Sequence, residues 1–544
     1  MPNPFSHAVA SFDPTATAVL LWTRAPGAGR LRWTVATDAH LLDAVATGVV
    51  EPDAGRDHTA VVDVDGLDPA TTYFYAFATA EARSPVGRTR TLPAEGARHL
   101  RLGLVSCASY AIAPLGAYRA LAEREVDLVV HLGDYIYEDD GSHGPRSHAP
   151  PWPARTLSDY RARIGQVRAD PDAQALHLRH PMVAIVDDHD VADNCWATGA
   201  KKHDDERDGP WADRVKAATS ARQEWLPQRV DDRSDASVTW RSIELGDLAE
   251  LVLLDTRLSG RDQHAGDAGT KALRDPSRSL LGDRQRRWLD ERLSNSRCPW
   301  TLLASGVVVN TITLPVPPVP GVRRLLPNGY AVVDGVVLHD DQWDGYPAER
   351  EHLVGQLAAR SRAGGRNIIL SGDIHSSWAF LGPRDATGSP AAVEMTVPAV
   401  SSKPMGRGRM PGAWRLLDAL VRRLEHVPWV DVTRRGYGIA DLTPDRAVLE
   451  WWFLEPTAAD PARDQWLGAA WRVDHGREPP ALTKAEATGD PERPAASPAA
   501  LPPRPDDLTR VRRSHNLRVA AERLSMVALV AAGLAVARNR LRSR

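Results

Sequence analysis

Cysteine is scarce in this sequence, which has three cysteines among 544 residues. Because their number is odd and they lie far apart, the sequence argues against a disulfide framework. No close Cys or His pairs accompany them to form a zinc knuckle. Charge of one sign is also lacking: the formal net charge is −3, so the chain as a whole shows no electrostatic footprint for nucleic acid. The scarcity of cysteine favours a reducing compartment. The lack of net positive charge argues against a specific nucleic-acid partner.

The sequence also lacks a secretory signal and a long apolar run. The first residues, MPNPFSHAVASFDP, contain no basic patch followed by an apolar core. Near the C-terminus the uncharged stretch 524–537 has 14 residues, whereas a membrane-spanning helix needs about 20. We therefore expect a cytoplasmic protein. Because 43% of its residues are hydrophobic and 25% are charged, a chain of this length can bury a large core and form more than one domain.

Changes in composition along the chain predict four parts. Residues 1–95 contain short runs rich in Val, Thr and aromatic residues, divided by turn clusters such as APGAG. This pattern is typical of a β-sandwich of the fibronectin-III or Ig kind. Residues 97–475 alternate apolar strands with helical segments and predict an α/β layered domain. Residues 476–507 are rich in Pro and Ala and predict an extended linker. Residues 508–544 predict a basic helix that either docks on the protein or makes peripheral contact with a membrane.

Metal-ligating side chains follow four of the predicted strands. The strand before residue 133 leads into Gly-Asp. The strands at 101–105, 182–186 and 367–370 lead into Ser-Cys, Asp-Asp-His-Asp and Ser-Gly-Asp-Ile-His. In open α/β sheets, ligands gather at the carboxyl ends of such strands. One Gly-Asp after a strand can be a simple turn, but ordinary helix caps rarely supply cysteine and histidine as well. The four strand ends together predict a metal centre.

Motifs at and between these strand ends resemble the PhoD-like alkaline phosphatases and phosphodiesterases, a family of calcineurin-like metallophosphoesterases. They occur in the family's order between residues 100 and 455: SC, GDYIYE, DDHDVADN, LLDTR, LGDRQRRWL, DQWDGYPAER, SGDIHSSW and RRGYGIADLTP. The chain departs from the family's pattern in three places. Ala108 stands where glutamine is frequent, and Asp190 stands where glutamate is usual. Cys195 precedes Trp196, where the family's tryptophan normally follows Asn194 directly. The resemblance implies a mixed-sheet, helix-flanked metallophosphoesterase sandwich.

The resemblance also implies a site for two metal ions, with these expected ligands: Cys107, Asp134, Tyr137, Asp188, Asn194, Asp373 and His375. The thiolate of Cys107 and the phenolate of Tyr137 suit Fe(III). Two cations about 3.5–4 Å apart need a bridging carboxylate, and Asp134 is the candidate. The hard oxygens of the other acidic and amide ligands suit a divalent cation, Ca²⁺ first, with Mg²⁺ and Mn²⁺ as alternatives.

The expected reaction is hydrolysis of a phosphomonoester or phosphodiester through a metal-activated water or hydroxide, as in alkaline phosphatase D-like enzymes. His189 stands where related phosphoesterases carry a histidine near the leaving oxygen, and the acidic Asp190 follows it. The alternative for His189 is a histidine hydrogen-bonded within its turn. Arg257 and Arg261 are candidates for binding the substrate phosphate; a structural ion pair and a solvated loop are the alternatives. A second class also stays open, that of a catalytically weak relative with a binding or scaffolding role.

Overall fold

A computed structural model describes residues 3–142, 144–229, 238–265, 269–315, 330–333, 336–407, 421, 423–491 and 502–503. In these residues an N-terminal pair of β-sheets precedes a larger part, in which two mixed sheets pack face to face between layers of helices. The predicted mixed-sheet α/β class is confirmed.

The N-terminal part is built from short strands. They are β1 (Val9–Phe12), β2 (Val19–Arg24), β3 (Leu31–Ala36), β4 (Ala44–Val50), β5 (Thr59–Val64), β6 (Thr72–Ala78) and β7 (Gly87–Arg90). One sheet has the order β4-β3-β6-β7, and the second side is formed by β1, β2 and β5. Between them lies an apolar core that includes Val9, Leu21, Val35 and Tyr75, because alternate residues of each strand point inward.

The α/β part contains the remaining strands and the helices. Its strands are β8 (Leu100–Val105), β9 (Leu128–His131), β10 (Met182–Ala184), β11 (Arg241–Leu245), β12 (Ala249–Leu253), β13 (Trp300–Ala304), β14 (Leu314–Pro315), β15 (Tyr330–Val333), β16 (Val336–His339), β17 (Arg366–Ser371), β18 (Ser377–Leu381), β19 (Val393–Thr396), β20 (Trp429–Asp431), β21 (Arg435–Leu442), β22 (Arg446–Leu454), β23 (Trp466–Asp474) and β24 (Thr483–Lys484). Its helices are α1 (Gly116–Ala122), α2 (Leu157–Ala169), α3 (Pro171–Arg179), α4 (Asp205–Asp208), α5 (Trp211–Trp225), α6 (Gly269–Leu273), α7 (Gly282–Asn295) and α8 (Pro347–Arg362).

Two large sheets form the centre of this part. The first has the order β24-β23-β22-β21-β8-β9-β10-β1-β2-β5, and the second has the order β11-β12-β13-β17-β19-β18-β20. Strand β9 is buried on both faces, as its unbroken apolar run predicts. Val130 faces the core between the two sheets, whereas Val129 faces the core beneath α1, α2, α3 and α5. Helices α7 and α8 cover the outer face of the second sheet.

The N-terminal strands are not a separate unit. β1 pairs in parallel with β10 through Phe12 and Met182, so β1, β2 and β5 continue the first large sheet. The sandwich predicted over residues 1–95 therefore shares a sheet with the α/β part, and its bounds stay a prediction. The physical reason for the shared sheet is that an open strand edge exposes unpaired backbone N–H and C=O groups, and pairing β1 with β10 covers two such edges at once.

Part of the segment predicted as an extended linker packs against the sheet. β24 pairs with β23, the hydroxyl of Thr488 donates to Glu450 at 2.6 Å, and the carboxylate of Asp490 lies 3.0 Å from the guanidinium of Arg101. The linker prediction is therefore corrected for residues 476–491. Composition alone does not reveal that a sheet edge and a buried arginine offer this segment partners.

The predicted basic helix at 508–544 lies outside the described residues, and so does most of the predicted linker after 491. Among the helices that the structure describes, none combines the length and the hydropathy needed to cross a membrane.

Candidate metal centre

The ends of the four predicted strands meet at one place. β8, β9 and β10 are parallel neighbours, and β17 of the second sheet ends against them: a Cβ added to Gly372 would lie 2.8 Å from Cβ of Ser106. Five predicted ligands have a left-handed backbone there, with φ from +50° to +59°: Cys107, Asp134, Asn194, Asp373 and His375. Residues other than glycine rarely adopt this conformation, and such strain is typical of functional sites.

The carboxylate of Asp190 holds the loop that follows β9. Its two oxygens accept hydrogen bonds at 3.0–3.4 Å from four backbone amides, those of Asp134, Tyr135, Ile136 and Asp187. The prediction that Asp190 is a catalytic partner of His189 is therefore corrected. Its oxygens are occupied by the backbone, and in the described part of the chain no hydrogen bond joins it to the imidazole.

A first cluster of ligand atoms unites Cys107, Asp134 and His375, whose sulfur, carboxylate oxygen and imidazole nitrogen lie within 4.8 Å of one another. The hydroxyl of Tyr137 lies 2.9 Å from Asp134 Oδ2 and 2.9 Å from His375 Nε2. Nδ1 of His375 contacts the carbonyl of Lys403 at 3.0 Å, and a proton donated there leaves the Nε2 lone pair for a metal. These four predicted ligands come together.

A second cluster shares Asp134 with the first. Carboxylate oxygens of Asp134, Asp188 and Asp373 lie within 4.8 Å of one another. The backbone amide of Asn194 donates to Asp188 Oδ2 at 2.6 Å, which places Asn194 beside this cluster. The side-chain amide of Gln342 donates to Asp373 Oδ2 at 2.5 Å. Asp134 thus stands between the two clusters, where a bridging carboxylate is needed. Gln342 was not predicted from its motif, since a glutamine in a loop carries no signal of its own.

The acidic groups of the site are crowded and short of positive charge. Burial raises the pKa of Asp134 well above its usual range, and the carboxylate of Asp188 raises it further. Burial and the carboxylate of Asp187 likewise raise the pKa of Asp373 well above its usual range. Among the described residues, Asp188 Oδ1 is buried without a hydrogen-bond partner. These side chains are desolvated, lie close together and partly lack hydrogen-bond partners. Such a set fits bound cations, because a cation would stabilise the ionised form of each ligand.

His189 pairs with Glu138 rather than with its neighbour in sequence. Nδ1 of His189 lies 2.7 Å from Glu138 Oε2, and Glu138 Oε1 accepts the backbone amide of Asp193 at 2.8 Å. The imidazole stacks on the ring of Tyr137 with centroids 4.1 Å apart. Burial alone would lower the pKa of His189, but the surrounding carboxylates, led by Asp188, outweigh burial and raise the pKa well above its usual value. The pair therefore favours a protonated imidazole.

The structure corrects the prediction that Arg257 and Arg261 bind the substrate. Both side chains are fully buried and both contact Asp341. Arg257 donates two hydrogen bonds of 2.8 and 3.1 Å to its carboxylate, and Arg261 donates one of 2.7 Å to the carboxylate and one of 2.8 Å to the carbonyl. Arg257 also donates to Asp187 Oδ1 at 2.5 Å. Buried guanidiniums with carboxylate partners are not available to a phosphate that arrives from solvent.

This architecture and its shared carboxylate define a metallophosphoesterase-like α/β protein, in which loops from two sheets surround one candidate metal centre. The chain belongs to the PhoD-like phosphatase family. The profile of the PhoD-like phosphatase matches residues 102–451, and the profile of the PhoD-like phosphatase N-terminal domain matches residues 1–93.

Two relatives support this membership. The chain is 33% identical over 404 residues to alkaline phosphatase D of Bacillus subtilis (strain 168), which is 69% of this chain and 65% of that protein. The alignment thus spans slightly less than two thirds of the relative's length. A solved structure titled "Structure of PhoD" has a TM-score of 0.77 and 27% sequence identity, and the match covers 97% of this chain and 99% of that one.

Proposed function

We propose that the protein is a metal-dependent phosphoesterase that hydrolyses phosphomonoesters, phosphodiesters or both. The observation that carries this proposal is that Asp134 belongs to both ligand clusters. When bound, two cations bridged in this way activate water or hydroxide and stabilise charge on the oxygens of an in-line phosphoryl displacement. The similarity to a protein named alkaline phosphatase D supports the same reaction class.

The two clusters differ in their ligands, and we infer a different metal for each. The cluster of Cys107, Tyr137 and His375 offers sulfur, phenolic oxygen and nitrogen, which suits Fe(III). The cluster of Asp188 and Asp373, with Asn194 beside it, offers hard oxygens, which suit Ca²⁺ and, as alternatives, Mg²⁺ or Mn²⁺.

His189 is the proposed proton donor to the leaving oxygen. Glu138 accepts from Nδ1, which orients the ring and leaves Nε2 as the nitrogen that can deliver a proton. Asp188, His189 and Asp193 also lie close enough together to hold a cation, so a ligand role is the competing assignment.

Hydrolysis of p-nitrophenyl phosphate and of its bis-ester, with and without chelator, tests the proposed function. Asp134→Asn should abolish turnover and lower the metal content, because a bridging carboxylate serves both cations. His189→Ala should keep the metals but slow turnover by roughly 10²–10⁴-fold. Loss of metal from His189→Ala would instead make His189 a ligand. A protein that binds metals but hydrolyses neither ester would favour the binding or scaffolding alternative.

We further infer that the N-terminal sheets form a structural fibronectin-III-like sandwich. The backbone amide of Asp68 donates to the hydroxyl of Tyr73 at 2.9 Å, and this contact fixes the turn after the buried Leu67. A cytoplasmic location remains our proposal from the sequence, with residues 508–544 either docked on the protein or in peripheral contact with a membrane.

A further inference from the structure

One guanidinium lies among the carboxylates of the metal centre without being a metal ligand. Nη2 of Arg257 is 3.3 Å from Asp188 Oδ1 and 3.7 Å from Asp373 Oδ1. Both carboxylates belong to the second ligand cluster, and Asp188 Oδ1 is the buried oxygen without a hydrogen-bond partner. Arg257 thus places its positive charge beside two carboxylates that could hold a divalent cation.

The same guanidinium is held from the other side by Asp341. Its bidentate contact, at 2.8 and 3.1 Å, is closer than either contact to the ligand cluster. Asp341 is itself fixed by Arg261, which reaches its carboxylate at 2.7 Å and its carbonyl at 2.8 Å. His264 Nε2 adds a contact of 2.8 Å to the same carboxylate. Asp341 is therefore a fixed anchor, and Arg257 is shared between this anchor and the cluster.

We propose that Arg257 is an internal competitor for the divalent cation, and that Asp341 sets the strength of this competition. Without the cation, Arg257 neutralises Asp188 and Asp373 and keeps the acidic cluster folded. When the cation binds, like charges repel at close range, and Asp341 receives the guanidinium. Arg257 and Asp341 are thus positioning residues that tune metal affinity. This inference rests on the proposed metal centre but not on hydrolysis.

The two residues should act in opposite directions, which a purely structural role does not predict. Without Arg257 the cluster loses a competing positive charge and should bind a divalent cation more tightly. Without the carboxylate of Asp341 the guanidinium keeps Asp187, 2.5 Å from Nε, as its one remaining anchor outside the cluster. Its Nη atoms can then move closer to Asp188 and Asp373, which should weaken cation binding. If Arg257 only supported the ligands, both changes would weaken binding.

The test is a titration of the chelator-treated, full-length protein with Mn²⁺, in which electron paramagnetic resonance reports the free ion. We expect Arg257→Gln to bind Mn²⁺ at least tenfold more tightly than the wild type, and Asp341→Asn to bind it at least tenfold more weakly. Arg261→Gln is the matched control: this arginine is also buried and also contacts Asp341, but it does not contact the ligand cluster. Because Arg261 acts only through Asp341, the affinity of Arg261→Gln should change less than that of Arg257→Gln.

If Arg257→Gln does not fold, Arg257→Lys replaces it, because an ammonium cannot span Asp341 and Asp188 together as the planar guanidinium does. This variant should bind Mn²⁺ at least threefold more tightly. Weaker binding by either Arg257 variant, an equal change in Arg261→Gln, or no binding by the wild type would overturn the proposal. A wild type that binds Mn²⁺ but hydrolyses no ester would refute only the proposed function.

Discussion

Replacing Asp190 with asparagine would show whether this residue holds the metal-binding loop or takes part in proton transfer. Each of its oxygens accepts two backbone amides, so the carboxylate satisfies four buried donors. An asparagine keeps one oxygen and turns the other into an NH₂ group that faces two N–H donors. Each buried donor left without an acceptor costs about 1–3 kcal/mol, so we expect a loss of roughly 2–6 kcal/mol.

The amide of Asp134 is one of these four donors, so the loss should disturb the bridging ligand as well as the fold. Calorimetry, metal analysis and hydrolysis of p-nitrophenyl phosphate on one preparation would measure the effect. We expect a lower unfolding temperature, less bound metal and partial recovery of turnover when metal is added in excess. His189→Ala is the comparison variant: it should keep its metals and lose turnover, and excess metal should not restore that turnover. If Asp190→Asn kept stability and metals but lost turnover, the loop-holding role would be refuted and proton transfer restored.

Three further predictions concern the metals, pH and the C-terminal segment. With Fe(III) bound, the protein should show a visible charge-transfer band that shifts in Tyr137→Phe; an active protein that is colourless and free of iron would contradict this metal assignment. In the chelated protein, burial and neighbouring carboxylates raise the pKa values of Asp134 and Asp373. The free energy of unfolding of the chelated protein should therefore fall as pH rises from about 4, the pKa of an aspartate in the unfolded chain, towards the raised pKa values of the folded protein. Bound cations ionise both groups, so the gap in unfolding temperature between loaded and chelated protein should widen from pH 5 to 8; a constant gap would argue against the shift. Removal of residues 508–544 should leave hydrolysis intact and abolish any pelleting with anionic vesicles at low salt. Changed kinetics without vesicles would indicate docking on the protein instead.

The strand ends could be predicted from the sequence because two local signals coincide there. An unbroken apolar run, such as that before Gly133, indicates a strand buried on both faces. An abrupt change to Cys, Asp or His marks where the strand leaves the core. Parallel strands bring their carboxyl ends to one edge, so Cys107, Asp134 and Asp188 had to lie near one another. The resemblance to a family added Tyr137 to this set.

The roles of the supporting residues could not be predicted, because they depend on contacts between distant segments. Arg257 meets Asp341, which is 84 residues further along the chain. The sequence left a structural ion pair open for Arg257, but nothing near it indicates that Asp341 is its partner. Asp190 follows a candidate catalytic histidine, but its lone pairs are taken by the loop after β9. Glu138 could have been suspected, since it lies in the same motif as Asp134, yet its partner His189 is 51 residues away.

The charge balance of the site explains why these supporting contacts are needed. Four carboxylates surround the single guanidinium of Arg257: those of Asp187, Asp188 and Asp341 are buried, and that of Asp373 is partly exposed. Burial alone would lower the pKa of Arg257, but these carboxylates outweigh burial and hold the pKa well above its usual value. Arg261 also pairs with Asp341, but the one guanidinium of Arg257 is then shared among the three remaining carboxylates, and buried charge without a partner is strongly destabilising. We therefore expect bound cations to stabilise the loops that carry these carboxylates as well as to serve the chemistry.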